Sequence, residues 1–238
     1  MDQIQMTPQA AIAATGVASA ERVTAFLRKV YGWMCVGLGI TATVALGVAS
    51  SPELVRAIFG NKILFFGLII AELGLVFYLS ARISKMAAST AAGLFLLYSA
   101  LNGATLAFIF LAYTGTSIAS TFLVTAGMFG ALALYGTATK RSLAGVGQFA
   151  FMGLIGVLLA SLVGMFWKSE GLQFVISIVG VIVFTGLTAY DAQRLKTMAV
   201  TVPESSYGSY SVVGALALYL DFINLFLFML RFMGGRRD

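Results

Sequence analysis

Residues Ser211 to Phe232 read SVVGALALYLDFINLFLFMLRF, an apolar run with one acid, Asp221, in its middle. The run is long enough to cross about 30 Å of hydrocarbon at 1.5 Å per residue. Tyr210, Gly214, Ala217, Asp221, Asn224, Phe228 and Arg231 follow a four-three spacing, so small and polar side chains share one stripe of a helix. Leu218, Phe222, Leu225, Phe226, Leu227 and Met229 spread apolar surface around the rest. A helix of this kind needs protein or a water-filled path along its polar stripe, and the stripe suggests a position at the centre of a bundle.

Working outward, the whole chain has the same character. Of its 238 residues 60% are hydrophobic and 10% charged, and the mean hydropathy is +0.96, far beyond what a soluble core requires. Seven transmembrane helices are expected near Phe26 to Ser50, Ile63 to Ser80, Thr90 to Tyr113, Ile118 to Gly136, Gln148 to Trp167, Leu172 to Tyr190 and Ser211 to Phe232. Breaks fall at Ser51-Pro52-Glu53, Gly60-Asn61-Lys62, Tyr113-Thr114-Gly115, Thr139 to Ser142, Lys168 to Gly171 and Val202-Pro203-Glu204. The fold class is all-α integral membrane, a single domain over 23–238. Residues 1–22, rich in Ala, Gln, Thr and Ser and without a basic n-region or apolar core, are expected to be a disordered tail and not a signal peptide.

Basic residues set the orientation. With the N-terminus inside, the inner loops hold Arg22, Arg28, Lys29, Arg82, Lys85, Lys140, Arg141, Arg194 and Lys196. The outer side holds Arg56, Lys62, Lys168, Arg231, Arg236 and Arg237, so N-in is favoured 9 to 6. A re-entrant last segment would make it 12 to 3, but Val212 to Phe232 is long enough to cross, and an unbroken helix satisfies its own backbone. The net charge of +6 therefore reads as topology, and no nucleic-acid partner is implied. Gly39, Thr43 and Gly47, and Gly156, Ala160 and Gly164, recur every fourth position and are expected to be helix-packing faces.

The chemistry available is narrow. Cys35 is the only cysteine and there is no histidine, which excludes internal disulfides, His-ligated haem and Ser-His or Cys-His catalysis. Glu72, Asp191 and Asp221 are the carboxylates within or at the edge of the spans, and in lipid each costs several kcal/mol unless paired, hydrated or neutralised. Asp191 is read at the end of the sixth helix, near the cytoplasmic boundary. Asp221 lies about 15 Å along the last helix from Ser211, so tilt or a deeper sixth helix must close the gap if the two meet. Such a pair would share a proton and titrate in coupled steps. Oxygen ligands alone suit Ca²⁺, and Asp191, Asp221 and Glu72 together would make a weak site for it. Tyr98, Asn102 and Thr105 form a polar face on the third helix that either lines a cavity or bonds to neighbours.

Three segments carry a resemblance: Gly186-Leu-Thr-Ala-Tyr-Asp-Ala-Gln-Arg-Leu-Lys196, Ala217-Leu-Tyr-Leu-Asp-Phe-Ile-Asn-Leu-Phe226 followed by Arg231, and Thr137-Ala-Thr-Lys-Arg-Ser-Leu143. From about Val23 onward the chain resembles the Bax inhibitor-1 (transmembrane Bax inhibitor motif) family, and its short loops and Arg236-Arg237-Asp238 end look like a bacterial member of the cytoplasmic (inner) membrane. The resemblance implies six helices around a central seventh and a pH-sensitive Ca²⁺ leak gated by Asp191 and Asp221. It implies Glu72 on the ion path and Arg82 as the latch onto Asp191; Asn224 and Arg231 belong to the same path-or-latch set. It also implies a regulatory role toward a membrane-bound protease as an alternative. No cofactor beyond the transported ion is expected, and no enzyme. An intramembrane aspartyl protease would need a Gly-x-Gly-Asp motif, whereas Asp221 follows Leu218-Tyr219-Leu220. A proton-coupled transporter stays open, since a carboxylate pair also serves a proton relay.

Overall fold

The computed structural model describes residues 8–167, 169–235 and 237, with no side-chain detail for 8–18 and 165. The first seven residues of the expected tail lie outside the described residues, as do Lys168, Arg236 and Asp238 from the charge count and the terminal motif. The helices are α1 (Pro8–Ala49), α2 (Pro52–Phe59), α3 (Lys62–Arg82), α4 (Ala88–Leu106), α5 (Phe108–Ala112), α6 (Gly115–Ala138), α7 (Ala144–Phe166), α8 (Glu170–Thr201) and α9 (Tyr207–Met233). Among the described residues seven stretches are long and apolar enough to cross a membrane, with α4 and α5 together making one of them.

Boundaries follow from caps. Ser51, Asn61, Thr114 and Ser169 each accept the backbone N–H of a first-turn residue through their side chains, at the starts of α2, α3, α6 and α8. Where the sequence reading placed only a break, Ser51 and Pro52 start the short helix α2, which is too short to span. The third span is interrupted at Ala107, between α4 and α5.

Two helices run longer than hydropathy indicated. α1 extends back to Pro8, through an Ala-rich stretch of high helix propensity that hydropathy alone places in the tail. α8 continues past Tyr190 to Thr201, because hydropathy falls there without any helix breaker until Val202-Pro203. Asp191 is therefore inside a helix and not at its end.

The spans differ sharply in burial. The Glu204–Met233 span has 67% of its apolar window buried, against 11% for Lys62–Lys85 and 17% for Ala144–Gly164. The last helix is thus interior, and the second and fifth spans turn most of their surface to lipid. The principal neighbours of α9 are α8, α1, α6 and α4, whereas α3 packs chiefly on α4 and α7 on α8. The arrangement of six helices around one is not confirmed by these contacts. α9 is an unbroken helix, as a full crossing requires and a re-entrant loop does not.

The expected small-residue faces need correction. Gly39 and Gly47 have nothing within 4 Å of where a Cβ would sit, and Gly156 is likewise open. On α1 the packed stripe is Gly37, Thr41 and Ala45, offset by two residues, with Gly37 against Phe95 and Ser99. On α7 Gly147 and Gly153 pack against Tyr190 and Val183, while of the expected face Gly164 meets Gln173 and Ile176 of α8 and Ala160 packs on the core, leaving only Gly156 open. On α1 either stripe satisfies the every-fourth-residue rule, and only the neighbouring helix selects one. The closest approach is at Gly136 of α6, where a Cβ would collide with the Ala189 carbonyl of α8. Gly136→Ala should therefore destabilise the protein by about 1–3 kcal/mol, a typical overpacking cost, seen as a lower thermal midpoint in detergent. Gly127→Ala, on the same helix with open space around it, should not lower the midpoint.

Candidate functional site

All three membrane carboxylates line one cleft of about 1040 Å³, walled by α3, α4, α7, α8 and α9. Glu72 of α3 is buried against α4. Its Oε2 accepts from Asn102 Nδ2 at 3.1 Å and its Oε1 from Thr105 Oγ1 at 2.9 Å. Tyr219 of α9 donates its hydroxyl to Asn102 Oδ1 at 2.9 Å, and Thr41 of α1 lies 2.6 Å from that hydroxyl. With Thr41 as donor, the hydroxyls and the amide point one way, from α1 through α9 and α4 to the Glu72 carboxylate. The Ser99 carbonyl, 2.9 Å from Thr41 Oγ1, competes with the Tyr219 hydroxyl for the same Thr41 proton. The polar face of α4 accordingly does both things left open by the sequence. Asn102 and Thr105 hold Glu72, and Tyr98 and Asn102 line the cleft.

Asp191 and Asp221 reach the cleft from antiparallel helices. Asp191 lies ten residues before Thr201 (201−191) and Asp221 fourteen after Tyr207 (221−207), so both sit well inside their helices, about 15 and 21 Å from those ends. The extension of α8 closes the depth gap that the shorter helix had left. Among the described residues no hydrogen bond joins the two, and both line the same cleft. Asp221 is 5% exposed, and its Oδ2 has no hydrogen-bond partner.

The cation beside Asp191 is Arg194, at 3.9 Å and one helical turn away. Arg82, expected as the latch, is exposed and makes no ion pair among the described residues. It stands at the end of α3, as expected, but among the described residues no acid lies within 4.0 Å of it. Asn224 lines the cleft and donates to the Leu220 carbonyl of its own helix. Arg231 lies outside the cleft, near the other end of α8, donating to Gln173 Oε1 at 3.0 Å and lying over the Phe228 ring. The three-carboxylate Ca²⁺ site is not formed either: among the described residues no three acids, cysteines or histidines converge as a metal site requires.

The two segments Thr137–Leu143 and Gly186–Lys196 prove to be one construction. Gln193 accepts from Leu143 N–H and donates to the Arg141 carbonyl, both at 2.8 Å, while Lys196 Nζ donates to the Thr137 carbonyl at 2.6 Å. Tyr190 packs flat on Gly147. These clamps fix the stretch of α8 around Asp191 against α6 and α7. Tyr219, Thr41, Arg194 and Gln193 were not singled out as site residues. The available signal for Tyr219 and Thr41 was a polar side chain in mid-span, at helical spacing from other polar residues.

Residues 23–238 match the family described as inhibitor of apoptosis-promoting Bax1. Inner membrane protein YbhL of Escherichia coli K12 is 54% identical over 215 residues, covering 89% of this chain and 92% of the relative. An uncharacterised protein of Borreliella burgdorferi is 46% identical, covering 90% and 93% of the two chains. An uncharacterised membrane protein of Streptococcus pyogenes serotype M1 is 37% identical, with the same coverage.

Proposed function

The chain belongs to the Bax inhibitor-1 family, and from that premise we propose that it is a pH-sensitive cation leak of the bacterial inner membrane, with Ca²⁺ as the transported ion and Asp191 and Asp221 as its gate. It acts by conduction and not by catalysis. The observation that carries the reading is the convergence of Glu72, Asp191 and Asp221 on one cleft within an apolar domain. Intramembrane acids are costly and persist where they serve an ion or proton path. The absence of a three-acid cluster among the described residues suits passage better than storage, because a conducted ion must also leave.

Glu72 serves as the deep station of the path. Both of its oxygens accept hydrogen bonds from α4, which holds the carboxylate in place. At an effective dielectric of about 20, a carboxylate roughly 4 Å from a unit cation contributes on the order of 4 kcal/mol. Purified protein in liposomes loaded with a Ca²⁺ indicator should therefore leak, and Glu72→Gln should cut the flux at least about tenfold, which takes only about 1.4 kcal/mol of that interaction. Flux unchanged by Glu72→Gln would make Glu72 a structural acid, and no flux from the wild type would end the leak reading.

A further inference from the structure

We propose that the cleft binds a lipophilic organic cation, bulky and singly charged with aromatic or apolar substituents, which enters from the bilayer between α3 and α7 and pairs with Asp221. The inference rests on the cation-accepting cleft proposed above, but not on its conducting ions.

The cleft has one acid in need of a partner. Glu72 has a hydrogen bond on each oxygen, and Asp191 has Arg194 beside it. Asp221 Oδ2 is buried with no partner, and a buried carboxylate without a counter-charge or hydrogen bonds is among the most expensive groups a membrane interior can hold. Arg194 is largely exposed and lies nearer the Thr201 end of α8, so it repels a cation at that end of the cleft more than at the depth of Asp221.

The walls suit an organic cation better than a bare metal ion. Tyr98, Phe151, Phe184 and Tyr190 line the cleft together with Leu and Val side chains. Aromatic faces attract cations, and an apolar body gains from leaving lipid for a shaped apolar wall with one charge at its end. The space, about 1040 Å³, is that of a site for a drug-sized ligand.

The route is also visible. α3 packs chiefly on α4 and α7 on α8, so the two helices that flank the cleft are not packed on one another as main partners. Leu73 of α3 and Phe151 and Leu158 of α7 line the cleft and are each more than half exposed on helices that cross the membrane. The mouth therefore faces the hydrocarbon, where amphipathic cations partition and hydrated metal ions do not.

Equilibrium dialysis of tetraphenylphosphonium against the full chain in lipid nanodiscs, with empty nanodiscs subtracted, tests this. Tetraphenylborate provides the same shape with the opposite charge. The wild type should bind the phosphonium saturably, one per chain, and should not bind the borate in that mode. Asp221→Asn should weaken phosphonium binding at least about tenfold and Asp221→Glu by less than about threefold, as a charge contact worth one decade or more requires. Equal saturable binding of both ions, absence of saturable phosphonium binding, or wild-type affinity in Asp221→Asn would each overturn the proposal. Should Asp221→Asn fail to fold, the comparison of the two ions on the wild type decides alone. Ca²⁺ flux is not read, so a protein that binds the phosphonium but does not leak Ca²⁺ defeats the leak and leaves this inference standing, and the converse defeats only this one.

Discussion

Replacing Asp221 by Asn should flatten the pH dependence of Ca²⁺ flux through reconstituted protein, and Asp191→Asn should do the same. The groups lining the cleft around Asp221 are Asp191, Arg194 and Tyr190 on α8, Glu72 on α3 and Tyr98 on α4. In a low-dielectric cleft two carboxyls cannot both ionise cheaply, so they hold a proton between them and titrate as a pair. Acid adds the second proton and removes the remaining carboxylate charge of the pair from the cleft, including any beside Arg194 within α8. A switch that turns on one proton changes its open population by up to about tenfold per pH unit. With Asn at either position the pair becomes a single acid, and the flux should vary by less than about twofold over the same pH range, the remainder of a lost one-proton step. Acid is expected to promote the wild-type leak. A variant that leaks normally with an intact pH profile would remove the gate from these residues.

The second large effect concerns stability. Asn102→Leu removes the donor to Glu72 Oε2 and the acceptor of the Tyr219 hydroxyl at once, in a region where both are buried. Each stranded polar group costs about 1–3 kcal/mol, so a loss of roughly 2–5 kcal/mol is expected, a large part of the stability of a typical domain. Thr105 still bonds Glu72 Oε1 and Thr41 still bonds the Tyr219 hydroxyl, which sets the loss toward the lower end of that range. Denaturant or thermal unfolding in detergent reads it directly. The double variant Glu72→Leu with Asn102→Leu should lose less than the sum of the single variants, because replacing both partners strands fewer groups than replacing one. Strict additivity would show that the bond between α3 and α4 contributes nothing.

The sequence by itself determined the membrane class, seven helices of crossing length and three acids within them. It did so because a backbone in hydrocarbon must satisfy its own hydrogen bonds, so a long apolar run has few alternatives to a helix. Hydropathy failed where polarity returned without a helix breaker, at the end of α8, and that displaced Asp191 from its true depth. Other features came only from the tertiary structure: which small stripe of α1 packs, that Arg194 and not Arg82 stands beside Asp191, and that Tyr219 reaches Asn102 and, through it, Glu72. In water the apolar face of a helix announces its own inward direction. In lipid an outward leucine and an inward one are equally content, so the choice of face rests on close packing and on polar groups finding one another, and both depend on helices far apart in the chain.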